Sequence, residues 1–97
     1  MPSSFSLHST PHYERLFQKL LTKHRELFAF QQTAVEILRS DPYNVSRRHA
    51  IKKLEGVNRG EGQYRLTLGR RRFRYDIFDR AVWLFYCGLR REDTYRS

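Results

Sequence analysis

The sequence predicts an α+β fold, β-α-α-β-β-β, with a helical hairpin packed on one face of a small antiparallel-rich sheet. Three observations predict it. Apolar residues recur at helical spacing from Tyr13 to Leu21 and again from Leu27 to Leu38; they alternate with arginines from Tyr64 to Ile77; and they run almost unbroken from Ala81 to Gly88. The first pattern places an apolar stripe on each of two helices, the second describes a half-buried hairpin, and the third suits a strand placed centrally in the sheet. With both helices on one side, the other face of the sheet is left available.

Taken in order, Phe5 and Leu7 alternate with Ser4, Ser6 and His8, as a short first strand does. Ser9-Thr10-Pro11 then supplies a capping hydroxyl and a proline at the first helical position, where the missing N–H costs nothing. Tyr13, Leu16, Phe17, Leu20 and Leu21 form the stripe of the first helix, while Arg15, Lys19 and Lys23 point elsewhere. A break at His24 to Glu26 leads to a second helix lined by Leu27, Phe30, Ala34 and Leu38 and flanked by Val35 and Ile37. Asp41-Pro42 ends it, because proline disfavours helical geometry in the residue before it. Residues 43 to 61 have no clean period and are expected to form a basic loop, with one helical turn around Ser46 to Lys53 and Leu54 anchored in the core. Gly69 provides the positive φ of a tight turn between two strands. Asp79-Arg80 makes a second turn without glycine, and residues 89–97 leave the sheet as a polar tail.

The chain has 97 residues, enough for one domain, 1–97, with a single core. Its 39% hydrophobic and 14% aromatic content is that of a folded chain. No apolar run approaches the roughly 18 residues of a membrane span, and Met1 to Ser9 lacks the features of a signal peptide, so a cytoplasmic location is expected. Cys87 stands alone, which excludes an internal disulfide and suits a small buried hydrophobe.

The net charge of +9 is unevenly spread. Residues 1–43 carry five Lys/Arg against four Asp/Glu, residues 44–97 fourteen against six. The second half therefore calls for an acidic partner, and nucleic acid fits clustered arginine best, because guanidinium forks match phosphate geometry. An acidic protein is the competing partner. An anionic membrane fits poorly, since no basic helix face is backed by a free apolar one.

Four groups of residues carry possible chemistry. Arg65, Arg72 and Arg74, with Arg70 and Arg71 at the turn, gather guanidinium groups within two strands, and Lys52 and Lys53 add charge from the preceding loop. Such a patch binds phosphate; the plain alternative is a solvated face. Arg90 and Arg91 follow a strand end, and Tyr95 is spaced to fold back and stack on a base, or the segment is simply a basic tail. His8 and His12 are separated by Pro11 and have no further ligands to complete a metal set, while His49, between Arg48 and Lys52, is either a phosphate contact or, more plainly, a solvated loop histidine. Asp76 and Asp79 lack a third acid at metal-binding spacing, and Glu92-Asp93 balances the tail arginines. With no phosphate loop or nucleophile set present, an enzyme built from this chain works with arginine and tyrosine, without metal or other cofactor.

The order of elements, with Lys53-Leu54-Glu55-Gly56, Gly62-Gln63-Tyr64-Arg65-Leu66, Gly69, Arg72-Phe73-Arg74-Tyr75 and Gly88-Leu89-Arg90-Arg91 before Tyr95, resembles the RelE/ParE superfamily of bacterial toxin-antitoxin toxins. The resemblance covers nearly the whole chain. It implies a ribosome-dependent endoribonuclease, or mRNA interferase, that cuts messenger RNA in the A site and is neutralised by a cognate antitoxin. By position, Arg65 is similar to the first of two basic residues that help activate the ribose 2′-OH, and Arg72 to the arginine that stabilises the phosphorane. Arg90 or Arg91 is similar to the arginine that protonates the leaving 5′-oxygen, and Tyr95 to the tyrosine that stacks on the base. One position departs from the pattern: the second basic residue is Thr67, which carries no charge. A gyrase-inhibiting toxin of the ParE branch and a non-catalytic basic RNA-binding module are the alternative functions.

Overall fold

The computed structural model describes residues 4–89 of the chain. Two helices and five strands follow one another as β1 (Ser6–Ser9), α1 (Pro11–Leu21), α2 (Leu27–Ser40), β2 (Ile51–Lys53), β3 (Tyr64–Leu68), β4 (Arg71–Phe78) and β5 (Ala81–Leu89). The strands make one sheet in the order β1-β5-β4-β3-β2, with β1 parallel to β5 and the remaining pairs antiparallel. The α+β class, the helical hairpin and the β1, β3, β4 and β5 strands agree with the sequence pattern.

Local chemistry accounts for the element boundaries. Thr10 caps α1, its hydroxyl oxygen accepting the amide N–H of Tyr13 at 3.1 Å, with Pro11 opening the helix. Helix α2 ends at Ser40, directly before Asp41-Pro42. The turn between β3 and β4 needs Gly69 at φ 62°. Asp79 adopts φ 55° in the turn between β4 and β5, a conformation that Asp tolerates better than most residues.

Two local features differ from the sequence expectation. In place of a helical turn around Ser46 to Lys53, the chain forms the three-residue edge strand β2, which pairs Ile51, Lys52 and Lys53 with Leu66, Arg65 and Tyr64. A strand this short is too brief to show a period, and its conformation comes from the backbone of β3. Leu54, expected in the core, instead lies on the opposite side of the sheet, lining a cleft described below.

The core lies between the helices and one sheet face. Tyr13, Phe17, Leu27, Ala34 and Leu38 meet Leu66, Phe73, Tyr75, Ile77, Val82, Leu84 and Cys87, all buried. Burying each large side chain contributes about 1.5–3 kcal/mol before entropy is counted. The phenol of Tyr75 keeps its polar end satisfied by donating to the carbonyl of Pro42 at 2.7 Å.

A bulge decides which residues of β5 reach the other face. Arg74 is opposite Tyr86, but its neighbour Tyr75 is opposite Leu84, so Phe85 is the extra residue. Val82 and Leu84 face the helices before the bulge and Cys87 does so after it. Tyr86 and Gly88 therefore turn to the open face, beside the arginines.

Candidate nucleic-acid interface

Strand alternation places Arg65, Thr67, Arg72 and Arg74 on the face away from the helices. Pairing then sets them in two rows. Lys52, Arg65, Arg74 and Tyr86 lie side by side across β2, β3, β4 and β5, and Thr67, Arg72 and Gly88 form the next row. Three cations directly opposite one another destabilise a sheet. Among the described residues no carboxylate lies within salt-bridge distance of Lys52, Arg65, Arg72 or Arg74; the ion pairs present involve Glu26 and Asp41 elsewhere.

Arg74 is restrained by the backbone. Its Nε donates to the carbonyl of Gly62 at 3.1 Å and one terminal nitrogen to that of Glu61 at 3.0 Å. The loop supplying those carbonyls is itself fastened by Asp76, which is fully buried. Its carboxylate accepts the amide N–H groups of Gly60, Gly62 and Gln63 at 2.8–2.9 Å. Gly62 sits at φ 81°, and a Cβ there would approach the Cβ of Arg74 to 3.1 Å, so the loop lies tightly on β4. Asp76, unremarkable in the sequence, is thus the residue that shapes one wall of the site.

Arg65 and Arg72 have no such restraint. The Nε of each is buried and without a hydrogen-bond partner, as is that of Arg71 on the other face of β4. A buried unsatisfied donor is costly, all the more so when charged. Arg71 has Glu26 to neutralise it, whereas Arg65 and Arg72, in adjacent rows of a surface rich in cations, have no carboxylate nearby among the described residues and mark a place prepared for an anion. They line a cleft of about 260 Å³ together with Leu54, Arg74, Tyr86, Gly88 and Leu89. Lys52 stands exposed at its β2 edge.

The other basic candidates are dispersed. Arg71 points to the helix side, where it bonds Glu26 at 2.8 Å and lies 4.0 Å from the ring centroid of Phe30. Lys53 also turns that way, with its ammonium over the ring of Tyr64. Arg70 is exposed in the β3–β4 turn. Arg90, Arg91 and Tyr95 lie outside the described residues. Cys87 is on the helix side of β5, and burial, aided by Glu14, pushes its thiol up to about 12, so it supplies no nucleophile to the cleft.

Tyr86 and Gly88 complete the cleft; Gly88 opens the motif that runs to Arg90-Arg91, whereas Tyr86 does not stand out in the sequence. Alternation continued from Val82 and Leu84 would bury Tyr86, and only the bulge exposes it. Among the described residues no three His, Cys, Asp or Glu side chains gather as a metal site, and no helix is long and apolar enough to cross a membrane.

Neither a family model nor a curated protein matches the sequence. The structure, in contrast, is similar to a chain of the archaeal RelE-RelB complex from Pyrococcus horikoshii OT3, at a TM-score of 0.60 and 21% identity, over 92% of this chain and 98% of that one. At that identity the likeness is one of fold, and with nearly all of both chains covered, this chain has the RelE fold.

Proposed function

We propose that this chain is the toxin of a type II toxin-antitoxin pair, a single-domain cytoplasmic protein that enters the ribosomal A site and cuts messenger RNA there without a metal. The observation that carries the proposal is the pair Arg65 and Arg72, two guanidinium groups with buried, unpartnered Nε atoms in one cleft and no carboxylate to neutralise them among the described residues. The RelE fold, read with the motif order of the sequence, supports the same function.

The reaction is transfer of the phosphoryl group to the neighbouring ribose. The 2′-oxygen attacks phosphorus, the bond to the 5′-oxygen breaks, and a 2′,3′-cyclic phosphate and a free 5′-hydroxyl result. Negative charge on the phosphorane is greatest at its non-bridging oxygens, where Arg72 acts; Arg65 orients the attacking ribose, the 2′-hydroxyl releases its proton to solvent, and the leaving 5′-oxygen takes one up from solvent while Arg90 or Arg91 hydrogen-bonds it and offsets its charge. Tyr95 stacks on the base, and Lys52, Arg70 and Arg74 contribute to the field that draws in RNA. Fixed cations on a rigid sheet do this work by position and electrostatics. The antitoxin, an acidic protein partner, covers this charge when bound.

The test is cleavage of messenger RNA on programmed ribosomes by the purified chain. Cuts confined to the A-site codon, ending in a cyclic phosphate, are expected. Intact messenger RNA together with inhibited gyrase supercoiling would overturn the proposal in favour of a ParE-type toxin.

A further inference from the structure

The nuclease reading leaves the 2′-hydroxyl poorly served. Thr67 has no charge, and a guanidinium hardly deprotonates or accepts a hydrogen bond. The cleft nevertheless contains a group able to accept one. The ring of Tyr86 lies along β5 over Gly88, so closely that a Cβ on Gly88 would be 2.4 Å from the phenol oxygen and 2.9 Å from two ring carbons. Gly88 has no positive φ requiring glycine. Its lack of a side chain serves the neighbouring ring. The phenol oxygen consequently sits above the row formed by Thr67, Arg72 and Gly88, although Tyr86 itself belongs to the row of Arg65 and Arg74. It makes no hydrogen bond to a described residue, and the side chain is 42% exposed, the most open of those that line the cleft with the arginines.

Resting on the reading above, we propose that Tyr86 is a substrate-contacting residue: its phenol oxygen hydrogen-bonds the ribose 2′-hydroxyl next to the phosphate held by Arg72. Gly88 sets the height of the ring, and the two act as a unit. The contact makes the cleft selective for ribose over deoxyribose and places the 2′-oxygen for attack, a role Thr67 is too short and too neutral to fill from the opposite side of Arg72.

Two measurements on the full chain test it. In the first, binding of a single-stranded RNA and of the DNA of the same sequence is followed by fluorescence anisotropy. The wild type should prefer RNA by about tenfold, the worth of one hydrogen bond, and Tyr86→Phe should erase the preference while leaving DNA binding unchanged. Gly88→Ala, which must displace the ring, should erase it as well. In the second, single-turnover cleavage on ribosomes should slow about tenfold in Tyr86→Phe at an unchanged melting temperature. Equal binding of RNA and DNA by the wild type, or a preference retained in Tyr86→Phe, overturns the proposal. A wild type that fails to cut ribosome-bound messenger RNA, yet loses its RNA preference on Tyr86→Phe, overturns the nuclease reading and leaves the ribose contact standing.

Discussion

The buried carboxylate of Asp76 accepts the amide N–H of Gly62 at 2.8 Å, and the same two oxygens also take the amides of Gly60 and Gln63. Removing the carboxylate strands three backbone donors at once. Asp76→Ala should therefore cost about 3 kcal/mol in urea unfolding, one such orphan alone being worth about 1–3 kcal/mol. Asp76→Asn keeps one acceptor oxygen but turns an NH₂ group towards an N–H, and should recover only part of the loss. Amide exchange at Gly60 and Gly62 should accelerate in both variants, because the loop is released from β4. An Asp76→Ala protein as stable as the wild type would show that the loop is held by other contacts.

Arg71 and Arg72 are adjacent in the chain and point to opposite faces of β4, so equal substitutions should have unequal effects. Arg72→Ala should slow cleavage by about 10²–10³-fold, as loss of a transition-state donor does, without lowering the melting temperature. Arg72→Lys should rescue little, since an ammonium cannot reproduce the planar fork. Arg71→Ala should leave cleavage within about threefold of the wild type and instead remove the stacking on Phe30, worth about 0.5–1 kcal/mol of stability. The comparison is one kinetic series and one set of thermal melts; loss of activity in Arg71→Ala alone would reverse the assignment of faces.

Much of this could be read from residues in isolation. Thr10-Pro11, the stripe from Tyr13 to Leu21 and the alternation around Gly69 are short-range signals, and each gave its element correctly. Alternation also sent Arg65, Arg72 and Arg74 to one side and, applied strictly to β4, sends Arg71 to the other, although its place beside the turn suggested that it joined the patch. The rest depended on partners distant in sequence. Ile51 to Lys53 becomes a strand only because β3 offers its edge, and Asp76 matters through amides 13 to 16 residues away. Tyr86 reaches the cleft through a bulge between two strands, which no pattern within β5 alone reveals.

The turn after α2 should set the acid limb of stability. Burial works to raise the pKa of Asp41, but the Ser46 hydroxyl and the amides of Val45 and Ser46 hydrogen-bond its carboxylate and outweigh burial, with His49 adding to them, so the group is held below the usual carboxylate range. Glu26 is lowered too, chiefly by its bond to Arg71. A depressed folded pKa means a contribution fully present above the unfolded value, about 4, and lost as pH falls through the folded one. The melting temperature should accordingly be flat near neutrality and decline below about pH 4, where these groups take up protons. Asp41→Asn should flatten that decline while lowering the plateau. An unchanged acid limb would place the proton uptake elsewhere.

Cys87 offers a check on the sheet that is independent of RNA. It lies on the helix side of β5 at 1% exposure, and burial raises its thiol to about 12, well above a free cysteine. Because the thiolate is the reactive form, iodoacetamide at mildly alkaline pH should modify the native chain at least about 100-fold more slowly than the chain in concentrated urea. Cys87→Ser should destabilise rather than inactivate, since it puts a hydroxyl among Phe73 and its neighbours without touching the arginine face. Asp76→Ala, which loosens only the loop over the opposite face, should leave Cys87 protected. Rapid labelling of the native wild type would instead mean that β5 opens readily, and with it the bulge that turns Tyr86 towards the cleft.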